Sequence, residues 1–288
     1  MKRILYSLAA AAFVLILVFG AAPHATEAQS HNPITDDVPL LVPEVISVRD
    51  HSTTAFTEGL IFSSDGMMYE SAGLYGESTL RQVDPETGEV LKSIDIPEEY
   101  FAEGLAQVGD HLIQLTWQEN TAFVYDIDTF EQVDTFSYEG EGWGLCYDGA
   151  YLYQSDGTSF ITLRDPETFD PVFSGLVSIQ GQPVANINEL ECVGDSIWAN
   201  LWKTDYIIRI DKSNGVITGV VDTTALLTAD ERAQLGSGDV LNGIAYNPDT
   251  DTFLITGKNW PHMYEVRFVD QAEAAPSAEA TAAATEAQ

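Results

Sequence analysis

The sequence predicts an all-β fold, a five-bladed β-propeller in which an N-terminal strand closes the last blade. One short pattern recurs five times, every 40 to 54 residues, as TEGLIF, AEGLAQ, GWGLCY, INELEC and LNGIAY. Between these segments lie short runs rich in β-branched and aromatic residues and bounded by Gly, Asp or Asn, which is typical of strands. A repeat of this length with four strands per unit indicates a propeller.

The beginning of the 288-residue chain is expected to lie outside the fold. Lys2 and Arg3 precede an apolar run from Ile4 to Ala22, and small residues follow, so residues 1–28 are predicted to be a secretory signal peptide. The run is also nearly long enough to cross a bilayer, which leaves an uncleaved anchor as the alternative. Both interpretations predict an exported protein, whether secreted, periplasmic or at the cell surface. Residues 29–41 are then a linker.

The predicted catalytic domain spans residues 42–270. It starts with a strand, Val42 to Asp50, that has no blade of its own, while the fifth blade lacks a fourth strand. Pairing these two would close the ring and remove exposed sheet edges. A short helix is predicted within Thr223–Leu235, with Thr228 or Asp230 as its N-cap. From residue 271 to 288 the chain is rich in Ala, Glu, Thr and Pro, which predicts a disordered tail.

The charge of the chain restricts its partners. There are 12 Lys and Arg against 45 Asp and Glu, a formal net charge of -33. Nucleic acid is excluded as a partner because its phosphates would be repelled. The acidic surface has two interpretations, a well-solvated exterior or the attraction of cationic substrates. We expect a monomer, associated with a membrane only if the N-terminal segment is not cleaved.

The repeat brings candidate functional residues to one mouth of the central channel. An inner strand begins where its antiparallel neighbour ends, so the five recurring segments and the five loops after the second strands share one edge. The residues at this edge are Phe56, Glu58, Phe101, Glu103, Trp117, Trp143, Asn188, Trp202, Asn242, Lys258 and Trp260. They predict an aromatic pocket with a few convergent polar groups. The alternative is that the aromatic residues only fill the channel and the polar groups only bond to the backbone.

Metal and disulfide predictions follow from residue type. Glu58, Glu103, Asn188 and Asn242 offer oxygen ligands that would suit Ca²⁺. Lys258 argues against a metal at the reaction centre, because two cations repel each other. The five His residues are too scattered for a zinc site. The two cysteines form either one bridge or two buried thiols, and the sequence pattern leaves both open.

Several of these segments together resemble the plant and bacterial (papaya-type) glutaminyl-peptide cyclotransferases. The resemblance covers Val42 to Phe268 and is carried by FTEGLIF, YFAEGLAQ, LTWQE, GEGWGLCYDG, INELECVGDSIWANLW and DVLNGIAYNPDTDTFLITGKNWPHMYEVRF. That family has a five-bladed propeller fold. The resemblance implies an acyltransferase of the aminoacyltransferase class that uses no metal in its chemistry. It would cyclise the N-terminal Gln of peptides or proteins to pyroglutamate and release ammonia.

The resemblance also implies roles for individual residues. Glu103 would be the general acid and base, while Asn188 and Lys258 would hold and polarise the amide. The implied substrate-binding residues are Phe56, Glu58, Phe101, Trp117, Trp143 and Trp202. Glu58 departs from some relatives, which have Gln at this position. The resemblance implies a Cys146–Cys192 disulfide and no cofactor for the chemistry, and it leaves a structural calcium ion open.

The chemistry agrees with these residue types. Cyclisation removes a proton from the attacking amine and adds one to the leaving nitrogen, and a single carboxyl can carry out both steps. Burial among indoles would raise the pKa of Glu103 toward the range where it can do so. The alternative function is an exported propeller that binds ligands without chemistry, or with Ca²⁺ as in propeller lactonases. Calorimetry with Ca²⁺ tests the calcium-dependent form of this alternative. Incubation with a Gln-initiated peptide, which should lose ammonia, tests the cyclotransferase.

Overall fold

The computed structural model describes residues 38–274, whose regular secondary structure consists of strands and one short helix. The predicted signal peptide, most of the predicted linker and most of the predicted tail lie outside these described residues. Within the described range, no helix has the length and apolar character needed to cross a bilayer. An all-β architecture is therefore confirmed for this part of the chain.

The strands are numbered here in chain order. The first eleven are β1 (Leu40–Asp50), β2 (Thr57–Phe62), β3 (Met68–Ala72), β4 (Thr79–Val83), β5 (Val90–Asp95), β6 (Ala102–Val108), β7 (His111–Thr116), β8 (Thr121–Asp126), β9 (Gln132–Ser137), β10 (Leu145–Tyr147) and β11 (Leu152–Ser155). The others are β12 (Phe160–Arg164), β13 (Pro171–Leu176), β14 (Ser178–Ile179), β15 (Gln182–Pro183), β16 (Ile187–Val193), β17 (Ser196–Leu201), β18 (Tyr206–Asp211), β19 (Ile217–Asp222), β20 (Leu241–Asn247), β21 (Thr252–Gly257) and β22 (His262–Asp270).

The strands form four large sheets and one small one. Strands β2–β5, β6–β9 and β10–β13 each make a four-stranded antiparallel sheet, and β14 pairs with β15. The remaining sheet has the order β16-β17-β18-β19-β1-β22-β21-β20. Strand β1 pairs antiparallel with β22 from Leu41 to Asp50, but parallel with β19 only at Leu40 and Leu41. It begins at Leu40, two residues before the predicted start of the strand.

Five strands at sheet edges, called first strands here, contact one another in a cycle, from β2 to β6, β10, β16, β20 and back to β2. Glycine makes this close approach feasible. A Cβ added to Gly59 would lie 2.6 Å from the Leu105 amide nitrogen, and one added to Gly104 would lie 2.5 Å from that of Leu145. Burial decreases outward, since β2 and β6 are largely buried whereas β5 and β9 are largely exposed.

The one helix in the described residues, α1 (Ala229–Arg232), has the cap that the sequence predicts. Thr228 Oγ1 accepts a hydrogen bond from the Glu231 amide, and the Glu231 carboxylate accepts one from the Thr228 amide. This reciprocal arrangement is a capping box. The helix is shorter than the predicted segment because Leu226 and Leu227 lie before the cap and are buried in the core instead.

Two predictions about side chains outside the pocket are resolved by the fold. Cys146 and Cys192 form a disulfide, as the resemblance implied. The bridge joins β10 to β16, which are first strands of neighbouring sheets in the cycle of contacts. Trp260 is a core residue, only 1 % exposed, and its Nε1 donates to the Asp239 carbonyl at 3.0 Å. It is not part of the pocket lining.

Candidate active site

A cavity of about 210 Å³ brings together all nine residues to which the sequence analysis assigns a catalytic or substrate-binding role. Its lining consists of Phe56, Glu58, Phe101, Glu103, Trp117, Trp143, Asn188, Trp202, Lys203, Gly238 and Lys258. Asn242, also predicted at this edge, lies behind the lining and bonds to Glu58. The roles of these residues stay predictions, but their convergence is a property of the fold.

The polar groups of the pocket are positioned by an irregularity that recurs in the strands. Glu58, Glu103 and Asn188 are each the second residue of a first strand, in β2, β6 and β16. At this position each strand shifts register against its neighbour, which marks a β-bulge or related irregularity. A bulge redirects a side chain and often lies next to a functional site. We infer that these irregularities help to bring two carboxyls and an amide to one mouth.

A buried ion pair occupies one side of the pocket. Lys258 Nζ lies 2.6 Å from Glu58 Oε1, and Asn242 Nδ2 donates to Glu58 Oε2 at 3.2 Å. Glu103 lines the same pocket, and the negative charge of Glu58 acts on it. Glu58, Glu103 and Lys258 are 1 %, 6 % and 5 % exposed, so their charges interact with little screening by water. The three groups therefore act as one electrostatic unit.

The two carboxyls of this unit hold protons more tightly than usual. Burial raises the pKa of Glu103 well above its ordinary value, the negative charge of Glu58 raises it further, and Lys258 opposes both. Burial also raises the pKa of Glu58, while the charge and hydrogen bond of Lys258 act in the opposite direction. The pKa of Glu103 is raised well above its ordinary value, so Glu103 is the carboxyl of this unit that most favours its protonated form.

Asn188 presents an unpartnered polar atom. It is 2 % exposed, and its Oδ1 has no hydrogen-bond partner among the described residues. Its backbone is held in place, because Ser155 Oγ donates to the Asn188 carbonyl at 2.7 Å. A buried polar atom without a partner destabilises the fold. Asn188 is therefore a candidate to bind a polar group of a ligand.

Five aromatic rings form the walls. The Phe56 and Phe101 centroids are 6.2 Å apart, those of Phe101 and Trp117 are 5.8 Å apart, and those of Trp143 and Trp202 are 5.3 Å apart. Each pair has an edge-to-face arrangement, which is favourable for aromatic rings. The result is an aromatic enclosure around the polar groups.

Sequence reasoning missed three residues at the site: Lys203 and Gly238, which belong to the lining, and Glu141. The Lys203 Nζ lies 4.1 Å from the Trp202 ring centroid. Its position could have been found, since it directly follows Trp202 in a predicted loop. Glu141 binds the indole nitrogens of Trp117 and Trp143. As one acid among 45 Asp and Glu, it gave no distinguishing signal.

Within residues 38–274, no group of three or more His, Cys, Asp and Glu side chains has an arrangement that could hold a metal ion. Two of the predicted oxygen ligands already have other partners. The Glu58 carboxylate is bonded by Lys258 and Asn242. This side of the pocket therefore has a cation of its own.

Comparison with known proteins shows that the chain is similar to one family and to several individual proteins. The family model described as glutamine cyclotransferase matches residues 13–268. A glutaminyl-peptide cyclotransferase of Arabidopsis thaliana is 40% identical over 231 residues, which cover 78% of this chain and 70% of that protein.

Two solved structures resemble the fold. A glutaminyl cyclase of Myxococcus xanthus superposes with a TM-score of 0.76 at 38% identity, covering 81% of this chain and 99% of that one. The WD40 repeats of RRP9 superpose with a TM-score of 0.52 at 10% identity, covering 78% and 100% of the two chains. At that identity the second likeness concerns the fold alone.

Proposed function

The chain belongs to the glutamine cyclotransferase family, and on that premise we propose how its pocket acts as a glutaminyl-peptide cyclotransferase. The substrate is a peptide or protein with an N-terminal Gln, and the products are pyroglutamate and ammonia. The observation that carries the residue assignment is Glu103, a carboxyl with a raised pKa inside an aromatic enclosure.

Glu103 is proposed to move the proton. The α-amine nitrogen bonds to the carbon of the side-chain amide, and the bond between that carbon and the amide nitrogen breaks. The Glu103 carboxylate takes the proton that the attacking amine loses and delivers it to the leaving nitrogen, so ammonia departs and the carboxylate is restored. A raised pKa suits this role, because the group must accept and donate at similar pH.

Lys258 and Asn188 are proposed to act on the amide. During attack, negative charge develops on the amide oxygen, and a nearby buried cation or N–H donor stabilises it. Lys258 uses one N–H on Glu58, and an ammonium group has two more to donate. Asn188 offers an unpartnered Oδ1 that suits an N–H of the substrate. The electrostatic pairing of Lys258 with Glu58 keeps the ammonium in position.

The aromatic walls are proposed to select the folded shape of the substrate. Cyclisation is intramolecular, so the enzyme mainly has to bring the side-chain amide back onto the α-amine. Flat apolar walls such as Trp117, Trp143 and Trp202 would exclude water and favour that compact conformer. Phe56 and Phe101 also line the pocket, and Lys258 Nζ lies 4.6 Å from the Phe56 ring centroid.

The finer architecture is also a proposal. We interpret the sheets as five blades, with the eight-stranded sheet consisting of two blades that β1 joins. The cycle of contacts among the five first strands supports this count. The pairing of β1 with β22 supports closure of the last blade by the N-terminal strand. The likeness to WD40 repeats is consistent with a propeller.

Three further expectations complete the proposal. The chemistry needs no metal or other cofactor, because Lys258 supplies the positive charge. Turnover that EDTA leaves unchanged would agree with this expectation. An increase in the thermal midpoint on addition of Ca²⁺ would reveal a structural calcium site. The protein is exported, which the Cys146–Cys192 disulfide supports. It is a monomer in solution, which light scattering would test.

The reaction class is tested by mass spectrometry. Purified protein incubated with a Gln-initiated peptide should lower the peptide mass by about 17 Da, the mass of ammonia. The same peptide with an acetylated α-amine should be unchanged, because the attacking nitrogen is blocked. Binding of the free peptide without any loss of mass would instead support the alternative, a binding propeller.

A further inference from the structure

Glu141 holds two walls of the pocket with one carboxylate. Its Oε2 accepts hydrogen bonds from Trp117 Nε1 at 2.8 Å and from Trp143 Nε1 at 2.9 Å. Its Oε1 accepts one from Gln118 Nε2 at 2.8 Å. Trp117 follows β7 and Trp143 precedes β10. The carboxylate therefore connects walls that come from two different sheets.

The backbone around Glu141 is built for this contact. The Gly142 amide donates to the Trp117 carbonyl at 2.9 Å, and a Cβ at residue 142 would lie 2.7 Å from the Thr116 carbonyl oxygen. Only glycine allows the loop to approach β7 this closely. Gln154 Nε2 donates to the Glu141 carbonyl at 3.1 Å and holds the loop from the other side.

The carboxylate is ionised in this position. Burial acts to raise the pKa of Glu141, but the hydrogen bonds from Trp143, Gln118 and Trp117 outweigh burial and lower it. Hydrogen bonds to an ionised acceptor are stronger than those between neutral groups. Because both indole N–H groups point to Glu141, the two walls present carbon surface to the cavity.

We propose that Glu141 is a positioning residue that fixes the orientation of Trp117 and Trp143 so that the pocket accepts the folded N-terminal Gln. This role rests on the proposed function and extends it to substrate selection. Glu141 acts through the two indoles and not on the reacting atoms. Its loss should therefore weaken substrate binding more than it slows the chemical step.

The primary test compares Glu141→Ala with Glu139→Ala, which removes an exposed acid from the same loop. With a Gln-initiated peptide, Glu141→Ala should raise KM by about tenfold, the effect of losing roughly 1.4 kcal/mol, with a smaller fall in kcat. Tryptophan emission should also change, because two indoles lose their acceptor. Glu139→Ala should leave KM, kcat and emission at wild-type values.

A double-mutant cycle tests whether Glu141 acts through the indoles. Replacing both Trp117 and Trp143 with Phe keeps aromatic walls but removes the N–H donors. Adding Glu141→Ala to that double variant should then raise KM no further. A KM effect that is fully additive, or a wild-type KM in Glu141→Ala, would overturn the proposal.

Failure of the proposed function gives a different pattern. If the wild-type protein forms no pyroglutamate, the reaction assignment fails, and the positioning role is then decided by peptide affinity from tryptophan quenching. Weaker binding to Glu141→Ala than to Glu139→Ala would support it, and equal binding would overturn it. Circular dichroism of each variant identifies any that fail to fold, and Glu141→Met, which removes the acceptor oxygens but fills a similar volume, then takes the place of the alanine variant.

Discussion

Glu70 and Glu103 are two buried carboxyls on β3 and β6, strands that contact each other, and their pKa values shift in opposite directions. Glu70 accepts hydrogen bonds from His51 at 2.8 Å and Thr57 at 2.7 Å, and Arg81 lies 3.9 Å away. Burial acts to raise its pKa, but the His51 charge and these bonds lower it. Glu103 instead faces the cavity, with Glu58 as its main polar neighbour.

The difference shows that partners, and not burial, decide what a buried carboxyl does. Glu70 is surrounded by donors and cations, so it stays ionised and stabilises the fold. Glu103 has a carboxyl beside it, and its proton is held in a cavity that a substrate can enter. Perturbed carboxyls of the second kind are the ones that suit acid–base chemistry.

The largest expected effect comes from Glu103→Gln. The amide has nearly the same shape but cannot accept and return a proton, so we expect kcat on a Gln-initiated peptide to fall by about 10²–10⁴-fold. Near-normal turnover would remove Glu103 from the mechanism. The thermal midpoint at pH 7 should be equal to or higher than that of the wild type.

The stability expectation follows from the direction of the pKa shift. The pKa of Glu103 is raised above its ordinary value of 4.5 in the folded protein. The stability linked to its protonation is therefore fully present below pH 4.5 and is lost as pH rises through the folded pKa. Gln does not titrate, so the variant avoids that loss. Thermal midpoints at pH 4.5 and 7 measure the difference.

The second effect is on stability and comes from Glu70→Ala. The variant leaves His51 and Arg81 without their carboxylate in a buried site, which typically destabilises by about 3–5 kcal/mol. Urea unfolding measures the change, and turnover per folded molecule should be close to wild type. A free energy of unfolding equal to that of the wild type would mean that the network does not stabilise the fold. A loss of kcat comparable to that of Glu103→Gln would mean that Glu70, too, is needed for turnover.

The Glu70 network also has a pH window. The pKa of Glu70 is lowered, so its contribution is present above about pH 4.5 and is lost as pH falls through the folded value. The pKa of His51 is raised even though burial acts to lower it, because Glu70 stabilises its charge. Its contribution is present below about pH 6.5 and is lost as pH rises through the folded value. The Glu70→Ala penalty should be largest between these limits.

Sequence reasoning reached the pocket but not the Glu70 network, for a physical reason. Pocket residues such as Glu103 and Asn188 recur at equivalent places in a repeat, so topology alone brings them together. His51, Glu70 and Arg81 lie on separate segments at non-equivalent positions, and only the folded packing makes them neighbours. Glu141 was missed for the same reason, since its function depends on two indole nitrogens and not on a pattern.

The fold, too, could be predicted from the sequence where local patterns determine it, but not where it depends on packing between distant segments. The strands and the Thr228 cap follow from local patterns. The register irregularity at Glu58, Glu103 and Asn188 does not, because it depends on how each of these strands pairs with the next strand of its sheet. The early start of β1 is another such case, since Leu40 and Leu41 pair with β19, which lies far along the chain.

The third expected effect comes from Lys258, the buried cation that lines the cavity. Lys258→Met removes the positive charge next to the developing oxyanion, and we expect kcat to fall by about 10²–10³-fold. It also leaves Glu58 buried without its partner, which should lower the thermal midpoint. The double variant Lys258→Met/Glu58→Gln should recover the midpoint but not kcat. Recovery of kcat as well would show that Lys258 serves only to neutralise Glu58.

The smallest expected effect is a change in pH dependence from Glu58→Gln. After burial, the negative charge of Glu58 is the main cause that raises the pKa of Glu103. Gln removes this charge and frees Lys258 to interact with Glu103, and both changes lower the pKa of that carboxyl. If the Glu103 carboxylate accepts the proton of the amine, the rising limb of kcat/KM against pH must move to lower pH.

In Glu58→Gln, the surroundings of Glu103 become more like those of Glu70, because Glu103 then has a cation and an amide as neighbours in place of a carboxyl. An acid limb that does not move would mean that a group other than Glu103 controls it. Loss of the acid limb altogether would mean that Glu58, and not Glu103, is the carboxyl that titrates in catalysis, because Gln does not titrate. Glu139→Gln, in an exposed loop, is the matched control for loss of one negative charge.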